Sequence, residues 1–118
     1  MKSFDLEART EDFSLGVIRL FRRLPHDDVA RVLGRQVLRS GTSIGANYHE
    51  AARARSNAEF IAKMGDRLKE ANETVYWLNL LQRAEVITLN EVESVRAECR
   101  ELVAIFTASI ATAKRKER

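Results

Sequence analysis

Four stretches of this chain place an apolar residue every three or four positions, with only short segments between them. That spacing is the mark of an amphipathic helix, whereas a half-buried strand alternates at two. One proline and five glycines in 118 residues leave too few breakers for a sheet of short hairpins. The two observations together predict an all-α fold.

The first stretch carries Phe13, Val17, Leu20, Phe21 and Leu24 on one stripe and ends at Pro25. Proline disfavours helical geometry at the residue before it. The helix starts at Asp5 or Thr10, both able to cap. The second begins near Asp27 or Asp28, whose carboxylates suit the positive end of the helix dipole. Val29, Val32 or Leu33, Gln36 or Val37, Ser40, Ile44 and Tyr48 continue its phase into Ala51 and Ala52. The third has the strongest start signal, Ser56-Asn57-Ala58-Glu59, which reads as a capping box. Its stripe is Phe60, Met64, Leu68 or Arg67, Ala71, Val75, Leu78 and Gln82. The fourth opens at Thr88 or Asn90, with Glu91 or Glu93 at the matching N3 position. It carries Val92, Val95, Cys99, Leu102, Phe106, Ser109 and Ala113 before the chain leaves the pattern as KRKER. Helices are expected over roughly 5–24, 28–54, 57–83 and 90–114 of one domain. Short connections make neighbours antiparallel, so the expected architecture is an up-down-up-down four-helix bundle.

Composition narrows the function classes. Hydrophobic residues at 45% and charged residues at 31% are ordinary for a globular chain and argue against disorder. A domain of this length buries ~65% of the surface its unfolded chain exposes, enough for a core without metals or disulfides. The single Cys99 excludes an internal disulfide and a cysteine-built zinc site. MKSFDLEART is too charged for a secretory signal, and no apolar run reaches membrane-spanning length. A cytoplasmic protein with no membrane partner is expected.

The segment RSGTSIGANYHE, Arg39 to Glu50, holds two glycines four residues apart. A phosphate-binding loop requires a lysine and a hydroxyl after its last glycine, and here Ala46 and Asn47 follow Gly45. Ser40, Gly41, Ser43, Gly45 and Ala46 instead make the second helix thin enough for another backbone to approach, in this chain or a neighbour.

The motifs RSGTSIGANYHEA, SNAEFIAKM and KEANETVYWLNLL, taken in order, resemble the bacterial four-helix-bundle proteins related to the 23S rRNA intervening-sequence protein. The match runs from about Leu38 to Leu81, with weaker correspondence in RTEDFSLGVIRL. The resemblance implies an antiparallel four-helix bundle commonly assembled as a homopentameric ring. It also implies kinship with the accessory variability determinant of diversity-generating retroelements, which binds nucleic acid and a reverse transcriptase. Asn47, Glu50, Glu70 and Glu73 match polar positions of the family pattern. Many relatives have Ser-Ile-Pro where this chain has Ser43-Ile44-Gly45, so a bend at Gly45 competes with close packing as its role. Tyr48-His49 departs from a small aliphatic pair.

Between Arg19 and Arg39 six arginines (19, 22, 23, 31, 35 and 39) face two acids, Asp27 and Asp28. Arg31, Arg35 and Arg39 are four apart on one helix face, and Arg19, Arg22 and Arg23 precede the turn. Antiparallel helices would merge them into one basic patch suited to phosphate, because arginine forks grip phosphate oxygens and release counterions. A solvated face, or pairing with acids of a neighbouring subunit, is the structural alternative. The only aromatic among the arginines is Phe21, which belongs to the apolar stripe, and this points to backbone or shape recognition of structured RNA or a duplex. Lys114, Arg115, Lys116 and Arg118 could extend the patch.

Catalytic chemistry finds little support. His26 and His49 form no Glu-x-x-His pair, so a di-iron bundle is excluded. Cys99 lies on the apolar seam as a small core residue, and Ser40 and Ser43 have no base but His49. Tyr76 and Trp77 are adjacent and cannot both face the core, which makes them interface candidates. The sequence therefore predicts a non-enzymatic homo-oligomer that contacts nucleic acid, with no cofactor, metal or small-molecule substrate. The alternative is a protein-binding scaffold or accessory subunit without nucleic-acid contact.

Overall fold

A computed structural model describes residues 5–117 and places them in four helices, with no strand among them. These are α1 (Leu6–Arg23), α2 (Asp28–Ala52), α3 (Asn57–Arg83) and α4 (Leu89–Arg115). The all-α four-helix bundle is thus the observed fold. α2 packs along both α1 and α3, and α3 along α4, while the α1–α4 seam is the thinnest. α1 is also the shortest helix, with 18 residues against 25 to 27 in the others.

Each helix starts where a side chain accepts an otherwise unpaired N–H. Asp5, and not Thr10, caps α1, taking the Ala8 N–H at 3.2 Å. Thr10 is fully buried one turn inside, its hydroxyl donating to the Leu6 carbonyl at 2.6 Å. Asp27 caps α2 through Ala30 N–H at 2.9 Å. Ser56 accepts from Glu59 N–H at 3.1 Å, yet Glu59 returns no bond to Ser56; its carboxylate lies 4.0 Å from Arg55. The reciprocal box forms at α4 instead. There Thr88 Oγ1 takes the Glu91 N–H at 3.3 Å and Glu91 takes the Thr88 N–H at 3.0 Å.

The helix ends are equally specific. Leu24 leaves α1 in extended geometry (ψ 148°), as its position before Pro25 requires. α3 closes with the Glu85 N–H on the Gln82 carbonyl and the Val86 N–H on the Leu81 carbonyl, both 3.0 Å. That is a Schellman motif, which places Glu85 in the left-handed region at φ 60° where glycine is usual.

The core runs through Phe13, Val17 and Leu20 on α1, Val37 and Ile44 on α2, Met64, Leu78 and Leu81 on α3, and Val92 to Phe106 on α4. Two stripes differ from expectation. Val29 and Val32 are 56% and 59% exposed, and Ala30 and Gly34 face inward instead. A Cβ on Gly34 would lie 2.5 Å from Leu24 Cδ1, so this corner accommodates only small residues beside Leu24 and Phe21. On α3 Arg67, Thr74 and Leu81 are buried alongside Met64, Ala71 and Leu78, while Leu68, Val75 and Gln82 are half-buried.

α2 is unbroken through the glycine segment. Gly41 and Gly45 face α1: a Cβ would sit 2.9 Å from Val17 Cγ2 and 3.2 Å from the Thr10 backbone, respectively. The close approach needed by these glycines is to a helix of the same chain. Ser40 and Ser43 turn the other way. The Thr74 hydroxyl donates to Ser40 Oγ at 2.9 Å, and Ser43 donates to Glu70 at 2.8 Å. Ala46 is exposed and belongs to neither face.

Candidate nucleic-acid interface

The arginines gather where α1 turns into α2. Pro25 ends α1, Asp27 restarts the chain as α2, and the antiparallel return brings the last turn of α1 beside the first turn of α2. Arg22 and Arg31 line one recess of about 230 Å³ with Phe21, Leu24, Pro25, His26 and Ala30. The Arg31 guanidinium lies 3.4 Å from His26 Nδ1. Arg19, Arg22, Arg23, Arg31 and Arg35 are all exposed. Among the described residues no carboxylate forms an ion pair with Arg19, Arg22, Arg31 or Arg35. Arg23 lies on the α4 side of the corner, close enough to Glu91 to help hold that carboxyl below its usual range. Arg22 and Arg23 also face the negative end of the α1 dipole, which favours their charge.

Arg39 stands apart from the other five. Four residues advance a helix by about 40° beyond a full turn, so positions 31, 35 and 39 wind across the surface. Arg31 therefore leans toward α1 and Arg39 toward α3. There Arg39 pairs with Glu73 and lies 3.7 Å from Glu70. Its charge is engaged at the α2–α3 seam, and the corner keeps five arginines of the six.

The polar family positions lie along the same seam. Asn47 donates to the Ser43 carbonyl at 2.9 Å, and Glu50 receives Lys63 at 3.1 Å. Glu73 also accepts the Trp77 indole N–H at 3.0 Å; that bond, with Arg39 beside it, holds the Glu73 carboxyl below the ordinary glutamate value. Tyr76 is 58% exposed and meets the half-buried Trp77 edge-on at 5.0 Å. Lys114, Arg115 and Lys116 are exposed at the far end of α4, and Arg118 lies outside the described residues.

Two sites had only a faint trace in the sequence. Arg67 takes a central position of the α3 core stripe and is only 9% exposed. Its place on the stripe was visible, but alongside Leu68 the apolar residue looks the better core candidate. Arg9 reaches across the thin α1–α4 seam, its Nε 2.7 Å from Glu98 and an Nη 2.8 Å from Glu101. Nothing local in α1 marks it, because both acids lie some ninety positions away. The Cys99 thiol is buried, donates to the Ala71 carbonyl at 3.3 Å, and is pushed up to about 12 by burial, which leaves it a poor nucleophile. Among the described residues no group of three or more potential metal ligands comes together. No helix among them is long and apolar enough to cross a membrane.

Comparison with known proteins supplies the remaining context. The family described as 23S rRNA-intervening sequence protein matches residues 2–108. A crystal structure of a protein of unknown function from the S23 ribosomal protein family of Bacteroides thetaiotaomicron VPI-5482 is 41% identical. The likeness covers 88% of this chain and 96% of that one, with a TM-score of 0.81. No curated protein matches the chain.

Proposed function

The chain belongs to the 23S rRNA-intervening sequence protein family, and on that premise we propose that it is a non-enzymatic, oligomeric bundle that contacts the backbone of structured RNA through its α1–α2 corner. The observation that carries this reading is the recess shared by Arg22 and Arg31, two guanidinium groups from different helices with no carboxylate on either. Arg19, Arg23 and Arg35 are exposed within about one turn of these two on α1 and α2, so five guanidinium groups belong to the corner. Guanidinium forks suit phosphate, and the one aromatic ring lining the recess, Phe21, is half-buried against the core and not free for base stacking. Recognition is then by phosphate position and shape. The family's own description, which refers to ribosomal RNA, favours RNA over DNA.

Oligomerisation would repeat the corner and turn weak contacts into avidity. Two apolar surfaces support it. Val29, Val32 and Tyr76 are exposed. Past the start of α1, Phe60, Ile105, Ala108 and Thr112 line a groove of about 610 Å³. The second of these equally favours a protein partner, the scaffold reading.

Fluorescence polarisation with a structured RNA across a salt series separates the two readings. Nucleic-acid contact predicts that log K falls linearly with log salt, and that each corner arginine reversed lowers the slope by roughly one. Arg22→Glu with Arg31→Glu should then abolish binding at physiological salt, while Arg39→Gln should leave it nearly unchanged. Binding that ignores salt, or survives the double reversal, would transfer the function to the apolar surfaces.

A further inference from the structure

Arg67 occupies the middle of the core-facing stripe of α3, between Met64 and Ala71, yet it is a permanent cation. It is only 9% exposed, and its Nε is buried and hydrogen-bonds to nothing among the described residues. A buried donor with no acceptor is destabilising, and nearly all buried polar groups in proteins find one. Arg67 lines a recess of about 270 Å³ together with Asp66, Lys69, Glu70 and Glu73.

That wall looks acidic until its carboxylates are followed to their partners. Glu70 accepts from Ser43 at 2.8 Å and faces Arg39, and Glu73 is held by Arg39 and the Trp77 indole. Both lean on one cation, Arg39, and the Ser43 hydroxyl and Trp77 indole add neutral donors. Counted with Arg39, the recess holds three cations (Arg39, Arg67 and Lys69) and three anions (Asp66, Glu70 and Glu73), so it is neutral and not acidic. Its one buried orphan is the Arg67 Nε, a donor with no acceptor among the described residues.

We propose that the recess binds a small oxyanion, a carboxylate or a phosphate, through Arg67 with Lys69 flanking. Two oxygens of such a group match the spacing of guanidinium N–H donors, and the largely buried setting strengthens each bond. Asp66 would accept from a hydroxyl or amine on the same ligand. The site is separate from the arginine corner and uses none of its residues.

The test follows the Arg67 Nε–Hε resonance of 15N-labelled protein during titration with inorganic phosphate, with acetate, and with chloride at matched ionic strength. The expected result is a saturable shift with phosphate or acetate that chloride does not reproduce. The thermal midpoint should rise over the same concentrations. Arg67→Lys keeps the charge but loses the fork, and should weaken the response at least about tenfold. Lys69→Ala, an exposed change, should weaken it less. A resonance that stays still, or a thermal response equal in wild type and Arg67→Lys, would overturn the assignment. So would a resonance that moves with protein concentration and not with added anion, because an acidic side chain of a second copy would then fill the recess.

Discussion

The five glycines are the clearest case in which identical residues do different work. Gly16 and Gly65 lie within helices with nothing inside 4 Å of an added Cβ. There glycine only adds backbone freedom to the unfolded chain, so Gly16→Ala and Gly65→Ala should each stabilise by about 0.5–1 kcal/mol in chemical denaturation. Gly45 is the opposite: its new methyl would press on the Thr10 backbone at 3.2 Å, and backbone cannot rotate away. Gly45→Ala should cost about 1–3 kcal/mol, the range of an overpacked core. A neutral Gly45→Ala would mean that α1 is free to shift. Glu85 poses the converse problem, since its left-handed backbone (φ 60°) strains any residue with a Cβ. Glu85→Gly should raise stability by about 0.5–1 kcal/mol after the entropic loss of glycine is subtracted. The sequence reading saw the thin waist of α2 because small residues cluster there. It could not say which helix used it, because that depends on Val17, 24 positions before Gly41, and Thr10, 35 before Gly45, and the Glu85 turn was hidden because no glycine marks it.

At the scale of elements, the fold was legible wherever a local rule decides it. Three-and-four periodicity, the proline stop and the Asp, Ser and Thr caps place all four helices, and short connections dictate their antiparallel order. What the sequence misjudged was decided by neighbours. Val29 and Val32 satisfy the period of α2, but the space beside Leu24 admits only Ala30 and Gly34. Arg31, Arg35 and Arg39 are evenly spaced, yet the winding of the helix delivers Arg39 to the carboxylates of α3. The capping boxes were also ranked in the wrong order. Glu59 leaves Ser56 unreturned, and the full reciprocal pair is Thr88–Glu91. That pair has a titration signature. Hydrogen bonds from the Thr88 backbone and hydroxyl hold the Glu91 carboxyl below the ordinary glutamate value. A depressed folded pKa contributes stability that is present above the unfolded value and lost as pH falls through the folded one. The stability difference between wild type and Glu91→Gln should therefore be constant near neutrality and shrink as pH drops below the usual glutamate range. A difference that is flat into strong acid would remove the charge from the cap.

The whole molecule is a rod more than a sphere. Its Cα radius of gyration is 15.0 Å, against ~13.5 Å for a typical compact chain of this length. Such a shape has one core running its length, so opening is either local to the thin α1–α4 seam or global. Cys99 distinguishes the two. Its thiol is fully buried on α4 and hydrogen-bonds to the Ala71 carbonyl of α3, across one of the extensive seams, although the two acids of the Arg9 clamp, Glu98 and Glu101, flank it in sequence. Peeling α1 from α4 leaves the α3–α4 contact in place, so the thiol should stay protected through that motion. A thiol reagent should then label Cys99 only through global unfolding, at a rate that climbs steeply with denaturant according to the full unfolding m-value. The pKa of about 12 adds a second barrier, since the reactive thiolate is scarce while the bundle is closed. Labelling that proceeds in native buffer and ignores denaturant would show that α3 and α4 separate without the rest, and that the bundle does not open as one cooperative unit.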